Sequence, residues 1–193
     1  MANEHGITDV AVLEQRYIGH GGTGRNTSII RSNYLTEEGA KFYQFSVDLY
    51  RDLSRQLDFN LFYSQRGHFT LAHSPASLRT QRWRAEVNKH LGIDSEVVGP
   101  DFVQKTIPQI DLTCGGHQPP ILGALYHPPG AIARHDAVAW AYARGADSKG
   151  VEIHQRTAVT GIEVADGAVM GVHTDRGFIT VSYTHLRAHE TSI

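Results

Sequence analysis

Cysteine, excess charge and long apolar runs are all scarce in this chain of 193 residues. Its single cysteine, Cys114, excludes an internal disulfide and a cysteine-based metal cluster. The formal charge is −2, from 18 basic and 20 acidic residues, so no electrostatic argument favours nucleic acid or an anionic membrane as a partner. No apolar run reaches the roughly 18 residues that a membrane span needs, and the first residues, MANEHGIT, include no apolar signal region. We therefore expect a cytoplasmic protein.

The stretch 9–34 begins with a hydrophobic strand that ends in an acid. Val10, Val12 and Leu13 predict a short buried strand, and Glu14 stands where such a strand reaches the carboxyl edge of a sheet. In dinucleotide-binding folds an acid at that edge accepts hydrogen bonds from a ribose 2′-hydroxyl. Glu14 is therefore a candidate ribose ligand.

Glycines crowd the segment that follows this strand. Four of them occur within ten residues of Glu14: Gly19, Gly21, Gly22 and Gly24. So many glycines indicate backbone that lies against something bulky or phosphorylated, although a flexible surface loop remains the alternative. The glycine motif expected about 20 residues before the acid is absent, so we expect the chain to begin inside a domain.

Apolar periodicity predicts a long helix from its cap at Thr36 to about Leu57. Phe42, Phe45 and Leu49 recur along it at spacings of three and four, which is typical of a face packed in a core.

A later helix, in the run AVAWAYARGADSKG, has Asp136 as its expected cap, which places His135 beside a helix N-terminus. His68, on an alternating segment earlier in the chain, is expected to face solvent. Beyond the later helix, a strand and an antiparallel meander are predicted, with a tight hairpin at Asp166-Gly167.

The last twelve residues, 182–193, break every preceding pattern and are expected to be a non-native tail. His185 and His189 lie four residues apart and could share one side of a helix as metal ligands. Two histidines without a third ligand are weak support for a metal site, so no metal is predicted.

Four separated motifs, VAVLEQ, GGTGRNTSIIRSNY, FYSQRG and ARHDAVAWAYARGAD, occur in an order that resembles the β subunits of heterotetrameric sarcosine oxidases. These belong to the D-amino acid oxidase-like flavoprotein superfamily. The resemblance implies a mixed α/β fold with a partial Rossmann-like FAD-binding domain, an antiparallel β meander and part of a substrate domain. The implied segments are 1–57 for the FAD domain, 58–134 for the substrate domain and connections, and 135–181 for the FAD-domain helix and meander.

The resemblance also implies a reaction and partners. Sarcosine would be oxidatively demethylated to glycine by hydride transfer to FAD, and the electrons would pass through a covalent FMN to oxygen, forming hydrogen peroxide. The one-carbon unit would go to tetrahydrofolate. Expected partners are α, γ and δ subunits, with NAD on the α subunit. The alternatives are another FAD-dependent amine oxidoreductase, such as a dimethylglycine dehydrogenase-like enzyme, and a non-catalytic fragment.

Five positions correspond by resemblance to FAD contacts: Glu14, Gly22, Thr27, Ile29 and Val159. The histidine of the RHDAVAW motif, His135, corresponds to the site of covalent FMN attachment. That bond requires a neutral imidazole nitrogen as nucleophile toward the flavin C8 methyl carbon, and a helix N-terminus disfavours the imidazolium.

Arg31 ends the run TSIIR, where related amine and sarcosine oxidases have an arginine that holds the substrate carboxylate. A guanidinium offers a planar pair of donors that matches a carboxylate and would orient the substrate toward the flavin. A surface salt bridge is the alternative role. Arg25 and Asn26 are further candidates for the same pocket, without assigned roles.

Overall fold

The computed structural model describes residues 2–7 and 9–180, without the side chain of Asn3. Helices are interspersed among strands along these residues, which end in four consecutive strands. In chain order they are α1 (Ala2–His5), β1 (Ala11–Glu14), β2 (Ile29–Ile30), α2 (Glu37–Gln56), β3 (Ser64–Gln65), β4 (His68–Ala72), α3 (Pro75–His90), β5 (Glu96–Val98), α4 (Pro100–Thr106), β6 (Gly123–His127), β7 (Ala131–Ile132), α5 (His135–Asp147), β8 (Glu152–Gln155), β9 (Val159–Ala165), β10 (Ala168–Thr174) and β11 (Gly177–Thr180).

The chain divides into two compact units, one formed by Met1–Arg25 with Tyr142–Ile193 and the other by Asn26–Ala141. These units do not test the predicted domain segments 1–57, 58–134 and 135–181, and the assignment of those segments stays a prediction. The predicted tail, with His185 and His189, lies outside the described residues.

In the first unit, β1 pairs in parallel with β8, and Glu14 is the last residue of β1, opposite Gln155. Successive side chains of a strand alternate between its faces, so Val12 and Glu14 share one face. The prediction that this strand is buried is wrong for Val12, which is 46% exposed because that face is open among the described residues. The open face is also the one from which the Glu14 side chain projects.

The first unit also contains an antiparallel meander in which β10 lies between β9 and β11. Its predicted hairpin at Asp166-Gly167 is confirmed: both residues have positive φ, 52° and 77°, as a tight two-residue turn requires.

The second unit contains two three-stranded antiparallel sheets, with β7 central in one and β6 central in the other. One hydrophobic cluster lies below α2 and the start of α5, and its buried members are Leu53, Leu61, Ala133, Val138 and Ala141. The other lies against β6, with Val98, Val103 and Ala124 buried.

Helix α2 has the predicted bounds, and Thr36 Oγ1 accepts the Gly39 N–H at 3.2 Å as its N-cap. The prediction that Phe42 and Phe45 face the core is wrong, since they are 67% and 63% exposed. The helix carries two apolar stripes, and the one that is buried includes the smaller residue Val47. Periodicity locates such stripes but does not indicate which of them packs inward.

Candidate functional site

In the first unit, Glu14 is held at the end of β1 by backbone contacts. Its Oε1 accepts the Arg16 N–H at 2.7 Å, and its carbonyl oxygen accepts the Thr157 N–H at 2.9 Å. The side chain is half-buried and forms no ion pair with another described residue. The second carboxylate oxygen is thus available to accept hydrogen bonds from a hydroxyl group.

The glycine-rich segment after β1 forms a turn that ends in a 3-10 helix, Gly22–Arg25. A Cβ on Gly24 would lie 2.1 Å from the carbonyl oxygen of Gly19, so the turn closes too tightly for any side chain there. At Gly21 and Gly22, by contrast, an added Cβ meets no described atom within 4 Å. The chain therefore offers bare, accessible backbone close in sequence to Glu14.

His20, within the same turn, has a buried Nδ1 without a hydrogen-bond partner among the described residues, while its Nε2 lies 3.1 Å from Arg25 Nη2. A buried ring nitrogen without a partner is costly, so it favours the approach of a further polar group. Together with the free oxygen of Glu14 and the open glycine backbone, these features fit the ribose and phosphate side of a dinucleotide.

The remaining residues predicted to contact FAD are exposed. Thr27 precedes β2, Ile29 is 45% exposed opposite Ile132, and Val159 is 46% exposed at the start of β9. Each side chain is accessible to a ligand. Whether they meet at one cofactor stays a prediction.

In the second unit, His135 is the first residue of α5, since the carbonyl of Arg134 accepts the Val138 N–H at 3.0 Å. The predicted cap, Asp136, lies inside the first turn instead. Its carboxylate pairs with the Arg134 guanidinium at 2.5 Å, which holds the pKa of Asp136 below its usual range. The helix starts two residues earlier than predicted, and His135 does lie at its N-terminus.

Ser28 is the hydrogen-bond partner of His135, with 2.7 Å between Ser28 Oγ and His135 Nδ1. The carbonyl of Ser28 also accepts the Ala133 N–H at 3.2 Å. His135 itself is half-buried, and its Nε2 forms no hydrogen bond with a described residue. One ring nitrogen is thus fixed and the other is open. Sequence reasoning missed Ser28, because the contact spans 107 positions.

Arg31 is half-buried beside polar and aromatic groups. Its Nη1 donates to Asn33 Oδ1 at 2.8 Å, and its guanidinium carbon lies 4.5 Å from the centre of the Tyr34 ring. No carboxylate of a described residue pairs with it, so the alternative of a surface salt bridge has no support within residues 2–7 and 9–180. The guanidinium therefore retains donors for an external anion.

A second guanidinium, Arg84, adds positive charge near Arg31, and the half-buried His68 lies close to both; neither role was found from the sequence. Arg84 donates twice to the carbonyl of Asn33, at 3.0 and 2.5 Å, and burial followed by the charge of Arg31 lowers its pKa. Burial, with the influence of Arg31, His127 and Arg84, lowers the pKa of His68 to about 4. The prediction that His68 faces solvent is wrong: it is half-buried, and the backbone at Gly130 lies so close that a Cβ there would be 2.5 Å from His68 Cβ.

His127 is fully buried, and both of its ring nitrogens are bonded. Nδ1 donates to the Asp94 carbonyl at 2.6 Å, and Nε2 accepts the Ser32 N–H at 3.2 Å. Burial lowers the pKa of this histidine. Because Nε2 accepts the Ser32 N–H, the ring is neutral with its proton on Nδ1, and His127 is a structural residue.

The described residues contain no group of three or more His, Cys, Asp or Glu side chains arranged to hold a metal ion. Among the same residues, no helix combines the length and apolar character that crossing a bilayer requires.

A family model described as FAD dependent oxidoreductase matches residues 1–186 of the chain. The sarcosine oxidase subunit beta of Rhizobium meliloti (strain 1021) is 47% identical over 179 residues, which are 93% of this chain and 42% of that protein. The subunit of the same name from Arthrobacter sp. is 44% identical, again over 93% of the chain and over 44% of the relative. The chain thus spans less than half the length of these relatives.

Among solved structures, the L-proline dehydrogenase of P. horikoshii superposes with a TM-score of 0.78 at 24% identity, covering 89% of this chain and 44% of that one. The glycine oxidase of Bacillus cereus ATCC 14579 gives a TM-score of 0.77 at 20% identity, covering 89% of this chain and 46% of that one. These similarities show a shared fold.

Proposed function

Because the chain belongs to the FAD dependent oxidoreductase family, we propose that it forms part of the β subunit of a heterotetrameric sarcosine oxidase. The observation that supports this most directly is the 47% identity over 93% of the chain to a protein of that name. The mixed α/β fold agrees with it.

The proposed reaction is the oxidative demethylation of sarcosine to glycine. Bound FAD would supply hydride acceptance, and a covalent FMN would pass the electrons to oxygen to give hydrogen peroxide. The one-carbon unit would be transferred to tetrahydrofolate. The proposed partners are α, γ and δ subunits, with NAD on the α subunit.

In the first unit, Glu14 would hold the FAD ribose through its free carboxylate oxygen. The carboxylate is already oriented by the Arg16 N–H, so little side-chain freedom is lost on binding. Gly22 would let the backbone approach the phosphates, because no side chain obstructs it. Thr27, Ile29 and Val159 are proposed as further FAD contacts.

In the second unit, Arg31 would bind the substrate carboxylate. Its contacts with Asn33 and Tyr34 fix its direction, and the absence of a carboxylate partner among the described residues leaves its charge uncompensated. Arg84 strengthens the positive potential. A charge-assisted bidentate contact at this point would orient the substrate.

His135 would carry the covalent FMN. It is the first residue of α5, and its Nε2 forms no hydrogen bond with a described residue, so that nitrogen is accessible for the bond. The full-length subunit, produced with its partner subunits, provides the test: flavin absorbance should stay with the protein after acid denaturation and disappear in His135→Ala. Protein that releases all its flavin in acid would contradict the proposal.

Measuring turnover with sarcosine and with dimethylglycine distinguishes the proposed substrate from the alternative one. Hydrogen peroxide formed from sarcosine, and much less from dimethylglycine, would support the sarcosine assignment. The reverse preference would favour a dimethylglycine dehydrogenase-like enzyme. Absence of turnover and of bound flavin would favour a non-catalytic protein.

A further inference from the structure

We propose that Ser28 is a positioning residue for flavin attachment: its hydroxyl oxygen accepts the Nδ1 proton of His135, which leaves Nε2 with the lone pair that reacts. This inference rests on the proposed covalent FMN at His135. It adds a residue, a tautomer and a reacting nitrogen to that proposal.

The Ser28 hydroxyl is well placed for this role because its backbone is fixed. Ser28 has φ = 59°, a left-handed conformation that few residues with a side chain adopt. The Asn26 side chain stabilises it by accepting the Ser28 N–H at 2.7 Å. On the other side, the Ser28 carbonyl binds the Ala133 N–H, two residues before the histidine. The two partners of the 2.7 Å contact are thus linked through the backbone as well.

The direction of the hydrogen bond decides which nitrogen reacts. A hydroxyl can donate to a ring nitrogen or accept from it, and the bond at one nitrogen sets the proton on the other. If Ser28 donated to Nδ1, the neutral ring would have its proton on Nε2, which would then lack a free lone pair. Only acceptance by Ser28 makes the open nitrogen of His135 the nucleophile.

The bonding change then balances. His135 Nε2 forms one N–C bond to the C8 methyl carbon of the flavin, one C–H bond of that methyl group is lost, and the Nδ1 proton leaves toward Ser28 Oγ. The two electrons released with the C–H bond would be accepted by dioxygen, which with the two protons would give hydrogen peroxide. Ser28 therefore lies where the departing imidazole proton is received.

Two substitutions at Ser28 distinguish the effect of its hydroxyl group from the effect of its backbone conformation. Ser28→Gly removes the hydroxyl and suits the left-handed φ, so a loss of attachment cannot come from backbone strain. Ser28→Asp keeps an acceptor that cannot donate, and aspartate tolerates positive φ. Ser64→Ala, on β3 in the same sheet as β2, removes a hydroxyl that contacts Arg66 and serves as the control.

The measurement is the rate of acid-stable flavin incorporation when flavin-free, full-length subunit with its partners is supplied with FMN at alkaline pH. We expect Ser28→Gly to slow incorporation by about tenfold, the factor equivalent to one hydrogen bond of ordinary net strength. Ser28→Asp and Ser64→Ala should remain within about threefold of the wild type on the same scale. The ¹⁵N spectrum of labelled His135 in the flavin-free protein should show the proton on Nδ1, a signature that a purely structural role would not require.

Each contrary result has a definite meaning. Wild-type rates in Ser28→Gly, equal losses in Ser28→Gly and Ser28→Asp, or a spectrum with the proton on Nε2 would overturn the role of Ser28 while leaving His135 as the attachment site. Wild-type protein without acid-stable flavin, or undiminished flavin in His135→Ala, would overturn both proposals.

Discussion

Two histidines of the second unit, His127 and His135, differ in how many of their ring nitrogens the fold occupies. His127 is fully buried and bonded at both nitrogens, to Asp94 and Ser32. His135 is half-buried at the start of α5, bonded at Nδ1 to Ser28 and open at Nε2. An imidazole ring whose two nitrogens are both hydrogen-bonded stabilises the fold, whereas a ring held at one nitrogen is oriented and still available for chemistry.

The largest effect expected from this comparison is at His135. His135→Ala should abolish acid-stable flavin in the full-length subunit, because it removes the ring nitrogen that is proposed to form the bond. The measurement is protein-bound flavin absorbance after denaturation in acid.

The matched control at the buried site is His127→Leu, which should retain covalent flavin in whatever protein folds. If His135→Ala kept its acid-stable flavin, the open nitrogen would not be the attachment point, and the contrast between the two histidines would lose its functional meaning.

The second effect is on stability and is expected at His127. His127→Leu keeps a similar volume but leaves the Ser32 N–H and the Asp94 carbonyl without their partner, so unfolding should become easier by about 3 kcal/mol. Chemical denaturation of the full-length subunit measures it.

For the same measurement, His135→Leu is the comparison variant and should change stability by no more than about 0.5 kcal/mol, since only one half-exposed hydrogen bond is lost. Equal destabilisation in the two variants would show that the number of bonded nitrogens does not distinguish them.

The third effect concerns Arg31, a cation that is oriented but has no carboxylate partner among the described residues. Arg31→Met should lower kcat/KM for sarcosine by about a hundredfold, and Arg31→Lys by about tenfold, because lysine keeps the charge but not the paired donors. Steady-state kinetics of the assembled enzyme provide the measurement.

Arg66→Met is the control for a guanidinium in the same unit, since Arg66 is exposed and its one hydrogen bond to a described residue is with the Ser64 hydroxyl at 3.1 Å. Its kcat/KM should match that of the wild type. An Arg31→Met enzyme with unchanged kcat/KM would remove Arg31 from the substrate site.

Local patterns were sufficient for the elements that depend on local chemistry. The cap at Thr36, the hairpin at Asp166-Gly167 and the end of β1 at Glu14 were all predictable, because each depends on neighbouring residues. The motif order was likewise enough to indicate the family to which the chain belongs.

The features that pattern reasoning missed depend on contacts distant in sequence. Ser28 meets His135 across 107 positions, and Arg84 binds the Asn33 carbonyl across 51. The exposure of Phe42 was also mispredicted, because periodicity groups residues on a face without indicating what lies opposite it. Tertiary packing decides all three.

The smallest expected effect is a pH dependence of stability from His68, whose pKa is lowered from 6.5 to about 4, chiefly by burial. Between these values the unfolded chain binds a proton that the folded chain does not, so stability should fall as the pH drops from about 6.5 to about 4 and this contribution should level off below that. The loss should be about 2 kcal/mol, with allowance for partial exposure.

In His68→Gln the decline of stability with falling pH should be shallower. His127, whose pKa is also lowered, remains in that variant, so the difference between the two stability curves isolates His68. Superimposable curves would mean that His68 is solvated like an ordinary surface histidine and that the positive cluster around Arg31 does not influence it.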